Sequence, residues 1–124
     1  GDWATTEAFL DIDGLTVYPG AELPLLDALD LGGPGCITAT ANVNAGPVAE
    51  VIRLHGSGGR QAAETAMVDV RAYRLVMQEY PAIPTMKRLL ALRLDDSTWA
   101  TVRPPFLPAD EATGTRLEER LDAL

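Results

Sequence analysis

Two short, almost uncharged runs constrain this chain more than anything else in it. Leu15-Thr16-Val17-Tyr18 is β-prone and sits between the turn dipeptides Asp13-Gly14 and Pro19-Gly20. Gly35-Cys36-Ile37-Thr38-Ala39-Thr40 is built of small, uncharged residues, the character of a strand buried on both faces. Between them, residues 23–31 follow helical spacing, with Leu26 and Leu29 on one face and Gly32-Gly33 as the stop. After Asn42 to Pro47 a further helix is predicted over residues 48–55. Strand, helix, strand, helix at this spacing predicts right-handed βαβ units and a parallel sheet. Two strands cannot close a sheet, so their neighbours are expected from residues outside this chain or from another chain.

The remainder reads as helical. A short helix is predicted over residues 3–10. Beyond Gly56-Ser57-Gly58-Gly59, read as a turn, the residues Ala63, Ala66, Met67, Val70, Tyr73, Met77 and Tyr80 recur at spacings of three and four, which marks the apolar face of a long helix. Pro81 and Pro84 are expected to end it. Further helices are predicted over residues 86–92 and 110–124, separated by a Pro-rich extended crossing at 99–108. The fold class expected is α/β, with a strand-bearing unit at 1–56 and a helical region at 57–124.

Charge and apolar runs narrow the function classes. Ten Lys and Arg against eighteen Asp and Glu give a formal net charge of −8, the wrong sign for a nucleic-acid partner, whose phosphates are bound by neutralising cations. No stretch approaches the roughly eighteen consecutive apolar residues of a membrane span, and no secretory leader opens the chain. Cys36 is the only cysteine, so no internal disulfide can form. A reducing, cytoplasmic compartment is the economical expectation. His55 has no second His or Cys at ligand spacing and is expected to top off a helix dipole, so neither a metal site nor a cofactor is expected. Cys36 has no basic neighbour in sequence that would activate it, and reads as a structural thiol.

In parallel α/β folds the loops leaving the C-terminal ends of strands carry function. One such loop is Pro19-Gly20-Ala21-Glu22, where Gly20 would let backbone approach a ligand and Glu22 would offer a carboxylate. The same residues also serve a tight turn and a helix dipole. The second loop holds Asn42 and Asn44, which suit either a polar substrate or a helix cap. Lys87, the single lysine, lies near the start of a helix, away from both loops. Imine chemistry needs a lysine in a desolvated pocket, so Lys87 is read as a solvated or interface residue.

Four motifs in order carry a resemblance. Tyr18-Pro19-Gly20-Ala21-Glu22 and Leu31-Gly32-Gly33-Pro34-Gly35-Cys36-Ile37-Thr38-Ala39-Thr40-Ala41-Asn42 resemble strands seven and eight of the dihydrodipicolinate synthase and N-acetylneuraminate lyase barrel. Ile83-Pro84-Thr85-Met86-Lys87 resembles the Ile-Pro-x-x-Lys segment of its C-terminal helices, and Val102-Arg103-Pro104-Pro105-Phe106-Leu107-Pro108 its Arg-Pro-Pro stretch before the last helix. Gly1-Asp2 is similar to the tail of the family's Lys-Asp-Ser-Ser-Gly-Asp element, which would put the Schiff-base lysine shortly before Gly1.

The resemblance implies the C-terminal part of a (β/α)8 TIM barrel, strands seven and eight, followed by a C-terminal helical extension. It implies that the intact protein is a pyruvate-dependent Schiff-base lyase, aldolase or synthase, acting on pyruvate plus an aldehyde or on a 2-keto-3-deoxy sugar acid. No catalytic residue is then expected within these residues, and the missing N-terminal barrel portion would supply the lysine. Gly20, Ala21 and Glu22 would contact the second substrate, Ile37 would line the pyruvate site, and Ala39 would stand where sialic-acid-cleaving members carry a hydroxyl. A homo-oligomer, dimer or tetramer, is expected. The alternative function is a non-catalytic half-barrel module that works only by pairing with another chain.

Overall fold

The computed structural model describes residues 2–124, which form a succession of helices joined by extended segments. Helix α1 is Trp3–Leu10, α2 Leu25–Asp30 and α3 Ala41–Met77; α4 is Ala82–Arg93, a 3-10 turn covers Ser97–Ala100, and α5 is Glu111–Asp122. Two helices start on acidic caps. The Asp2 carboxylate accepts from the Thr5 amide at 2.9 Å and that of Asp110 from the Thr113 amide at 2.6 Å, satisfying amides that the first turn leaves without partners.

The expected α/β class is not what forms. Among the described residues there is no strand, so the reading as strands seven and eight of a (β/α)8 barrel with a helical extension is corrected to a helical chain with extended connections. A strand is defined by a ladder, and among the described residues the backbone bond that links these segments runs from the Ile37 amide to the carbonyl of Pro19, just after the first run, at 3.0 Å. Local propensity sets an extended backbone; pairing needs neighbours on both sides.

The helices depart from expectation where backbone geometry overrides residue type. The segment predicted at 48–55 and the one predicted at 61–80 belong to one long element, α3, interrupted at Asn44 (φ −145°, ψ 35°) and at Gly59 (φ 70°, ψ −171°). The break at Asn44 brings Pro47 close to the restart of the helix, where a missing amide is tolerated. Of the four residues read as a turn, Gly56 to Gly58 stay helical and only Gly59 breaks, in a left-handed conformation that glycine adopts without a Cβ penalty. Pro84 likewise does not end a helix. It sits in the first turn of α4, which begins at Ala82.

The chain forms two compact units, one ending at Arg71 and the other spanning Ala72–Leu124. In the first, Leu25 and Leu26 of α2 are buried with Val48, Val51, Ala63, Met67 and Val70 of α3, and Cys36 and Ile52 pack against that cluster. In the second, Met86, Leu89 and Ala91 of α4 and Leu117 and Leu121 of α5 are buried. Each fully buried Leu or Met contributes about 1.5–3 kcal/mol by leaving water.

Candidate functional site

The predicted loops meet in the first unit. The bond from the Ile37 amide to the Pro19 carbonyl puts the start of the Gly20-Ala21-Glu22 loop beside residues 36–40. Side chains of residues 37–40 alternate between the two sides of this segment, which turns at 39–40 into α3. Thr38 and Thr40 turn inward, at 7% and 2% exposure, while Ile37 is 71% exposed and Ala39 is also exposed.

Glu22 is the inward partner of the two hydroxyls. Its carboxylate is only 1% exposed, the Thr38 hydroxyl donates to it at 2.9 Å, and the Thr38 and Thr40 hydroxyls lie 3.0 Å apart. A carboxylate taken out of water needs such donors. Glu22 is therefore not a surface residue complementing a helix dipole. Its backbone carbonyl separately accepts from the Leu25 amide at 2.9 Å, leading into α2. Cys36 lies half-buried in the same segment; burial first, and then the nearby Glu22 charge, pushes its thiol up to about 11. Such a group stays protonated near neutrality and is a poor nucleophile.

The five site residues expected from sequence thus split. Gly20 is exposed, Ala21 partly so, and Glu22 buried. Ile37 and Ala39 face away from the core, on the side of residues 36–40 opposite Thr38 and Thr40. Sequence reasoning missed Thr38 and Thr40, although the signal was present: a Thr-x-Thr pattern in an extended run puts both hydroxyls on one face. Asn42 does not act as an N-cap acceptor. Its side-chain amide donates to the Ala39 carbonyl at 2.8 Å, closing the turn that enters α3. Asn44 is buried at the first irregularity of α3.

His55 stands within α3 rather than at a helix end, and its Nε2–H donates to Asp30 Oδ1 at 2.8 Å. Lys87 Nζ lies 5.6 Å from the centre of the Trp99 ring, a cation–π arrangement within the second unit. Among the described residues no group of three or more His, Cys, Asp or Glu is placed to hold a metal ion. Among them, too, no helix is long and apolar enough to cross a membrane.

Comparison with known proteins places this geometry in context. The model of the dihydrodipicolinate synthetase family matches residues 5–124. Among solved structures, a dihydrodipicolinate synthase from Bacillus anthracis aligns over all of this chain and 42% of its own, with TM-score 0.82 and 21% identity. The synthase from Thermotoga maritima covers 87% of this chain and 36% of its own, with TM-score 0.74 and 22% identity. A monomeric dihydrodipicolinate synthase variant gives TM-score 0.74 and 22% identity over 87% of this chain and 35% of its own. No curated protein matches. The chain therefore spans well under half the length of these solved synthases.

Proposed function

The chain belongs to the dihydrodipicolinate synthetase family, and from that premise we propose that it is the C-terminal part of a pyruvate-dependent Schiff-base lyase or synthase. The reaction class is condensation of pyruvate with an aldehyde, or the reverse cleavage of a 2-keto-3-deoxy sugar acid. The amine that forms the imine comes from residues outside 1–124. Lys87 is a poor candidate for it, because its ammonium rests over the Trp99 ring of its own unit.

In this reading the Gly20-Ala21-Glu22 loop lies at the second substrate, Gly20 and Ala21 facing it and the buried Glu22 holding the loop from beneath, with Ile37 and Ala39 flanking the keto acid. The observation that carries it is the family match over residues 5–124 together with the buried Glu22 carboxylate fixed by Thr38 at the foot of the Gly20 loop. That bond holds the loop in one conformation, which preorganises whatever the loop contacts. Ile37, at 71% exposure, supports the further proposal that the missing N-terminal portion covers this face, since an aliphatic side chain so exposed gains by burial. A cytoplasmic location and a homo-oligomeric state, dimer or tetramer, belong to the same proposal.

Borohydride reduction in the presence of pyruvate, followed by peptide mass spectrometry on the intact protein, tests the reading. The expected adduct lies on a lysine outside residues 1–124. An adduct on Lys87, or none at all, would overturn it. The second reading is a non-catalytic module that acts only when paired with another chain; the same exposed Ile37 favours it, and the absence of any adduct selects it.

A further inference from the structure

The two motifs at the C-terminal end, Ile83 to Lys87 and Val102 to Pro108, have no part in the site described above, yet they converge. Both line one cleft of about 390 Å³ in the second unit. Lys87 comes from α4 and Arg103 from the extended segment that follows the 3-10 turn. Ile83, Val102 and Phe106 supply apolar walls, Thr101 adds a hydroxyl, and no carboxylate is among the lining residues.

The cleft brings two cations together in an acidic chain. Eighteen acidic residues outnumber ten basic ones, and several arginines are engaged by carboxylates: Arg53 by Glu50, Arg60 by Asp27 and Asp30, Arg93 by Glu118, and Arg120 by Glu79. Among the described residues, neither Lys87 nor Arg103 forms an ion pair. Lys87 has the Trp99 ring instead, at 5.6 Å. Two cations without counter-ions on one concave surface attract an anion, and a planar guanidinium is matched to a carboxylate. A cleft of this volume with apolar walls and few polar groups suits a small organic ligand.

We infer that this cleft binds a small monocarboxylate with an apolar body, the carboxylate meeting Arg103 and Lys87 and the body lying against Ile83, Val102 and Phe106. The inference rests on residues of the second unit alone and stands whether or not the lyase reading does.

Phenylacetate is the probe, titrated into the protein carrying Trp3→Phe so that emission reports Trp99, whose ring Lys87 covers. Saturable binding is expected, with neutral phenylacetamide and inorganic phosphate each weaker by about tenfold or more. Arg103→Gln and Lys87→Met, which keep apolar stems at exposed and half-exposed positions, should each weaken phenylacetate by about tenfold or more, with unchanged far-ultraviolet circular dichroism. Isothermal calorimetry on the unsubstituted protein provides a readout independent of the tryptophan. Equal affinity for phenylacetamide would overturn the role of the charge, and equal affinity for phosphate the role of the apolar walls. Unaltered binding in both variants, or no saturable binding by either method at about 10 mM, which is weaker than any useful small-ligand affinity, would overturn the site itself.

Discussion

Thr38 donates its hydroxyl to the Glu22 carboxylate at 2.9 Å, and both side chains are withdrawn from water. That bond ties the turn before α2 to the run before α3, beside the backbone bond from the Ile37 amide to the Pro19 carbonyl. Replacing Thr38 by Val keeps the shape and removes a donor from a buried carboxylate. The expected loss is about 1–3 kcal/mol of unfolding free energy, read as a lower urea midpoint with an unchanged slope. Glu22→Gln retains an acceptor for Thr38 and should cost less. Equal stability of Thr38→Val and the parent would show that other partners of Glu22 suffice.

Cys36 reports on the same carboxylate. Its thiol is pushed up to about 11, chiefly by burial and secondarily by Glu22. Thiolate is the reactive form, so the rate of alkylation by iodoacetamide should keep rising with pH beyond the point near 8.5 where an ordinary cysteine levels off. Removing the negative charge with Glu22→Gln should move the inflection downward while leaving most of the elevation in place. An inflection in the ordinary range would mean that Cys36 is solvated as a free thiol is.

How much of this was legible in the residues depends on whether the governing interaction is local. The helices were, because Met67, Val70 and Met77 repeat at a period that a helix alone satisfies, and Leu117 and Leu121 do the same in α5. The strands were not. Residues 15–18 and 35–40 have the composition of buried strands, but a ladder is a property of pairs of segments, and the bond between these segments, from Ile37 to Pro19, falls just past the end of the first run. Pro84 and Gly56 to Gly59 misled for a related reason. Whether a proline or glycine breaks a helix depends on its position from the nearest terminus and on its own φ, and neither quantity is written in the residue type. At the site, Glu22 was chosen as a candidate, but its burial came from Thr38, sixteen residues away, and sequence gave no register between the two runs.

Asp30 takes hydrogen bonds from both sides of the break in α3. His55 precedes Gly59 and donates at 2.8 Å, while Arg60 follows it and donates to Asp30 at 2.5 Å and to Asp27 at 2.8 Å. The His55 bond first, and the Arg60 bond second, hold the Asp30 carboxyl below its usual value. A folded-state pKa below the unfolded one means that the stabilisation is present above the ordinary carboxylate value near 4 and is lost as pH falls through the folded one. Asp30→Asn should therefore flatten the acid limb of stability against pH below about 4. At neutral pH it should cost less than about 1 kcal/mol, because the pair is partly solvated. Thermal melts of both proteins at stepped pH measure the difference, and parallel acid limbs would show that the bonds across Gly59 carry no net stability.

Gly114, buried within α5, sets two effects against each other. Alanine is worth about 1 kcal/mol more than glycine in a helix interior, which alone would make Gly114→Ala stabilising. The added Cβ, however, would stand 2.5 Å from Arg88 Cγ and 2.9 Å from Leu92 Cδ1. Arg88 cannot yield freely, since its Nε donates to the Ala109 carbonyl at 2.9 Å just ahead of the Asp110 cap of α5. Moving the side chain would give up that bond, and moving α5 would open the packing of Leu117 and Leu121. Overpacking of this kind costs about 1–3 kcal/mol, and the lost hydrogen bond about 1 kcal/mol more, so the steric side wins and the net effect is destabilising by about 1–3 kcal/mol. Urea unfolding of Gly114→Ala should show this loss. Gly114→Ala with Arg88→Ala should be less destabilised than the sum of the single substitutions, because removing Arg88 Cγ relieves the closest clash while the helix gain remains. A melting temperature for Gly114→Ala at or above that of the parent would mean that α4 and α5 part by a few tenths of an ångström at no cost, and that propensity governs at this position after all.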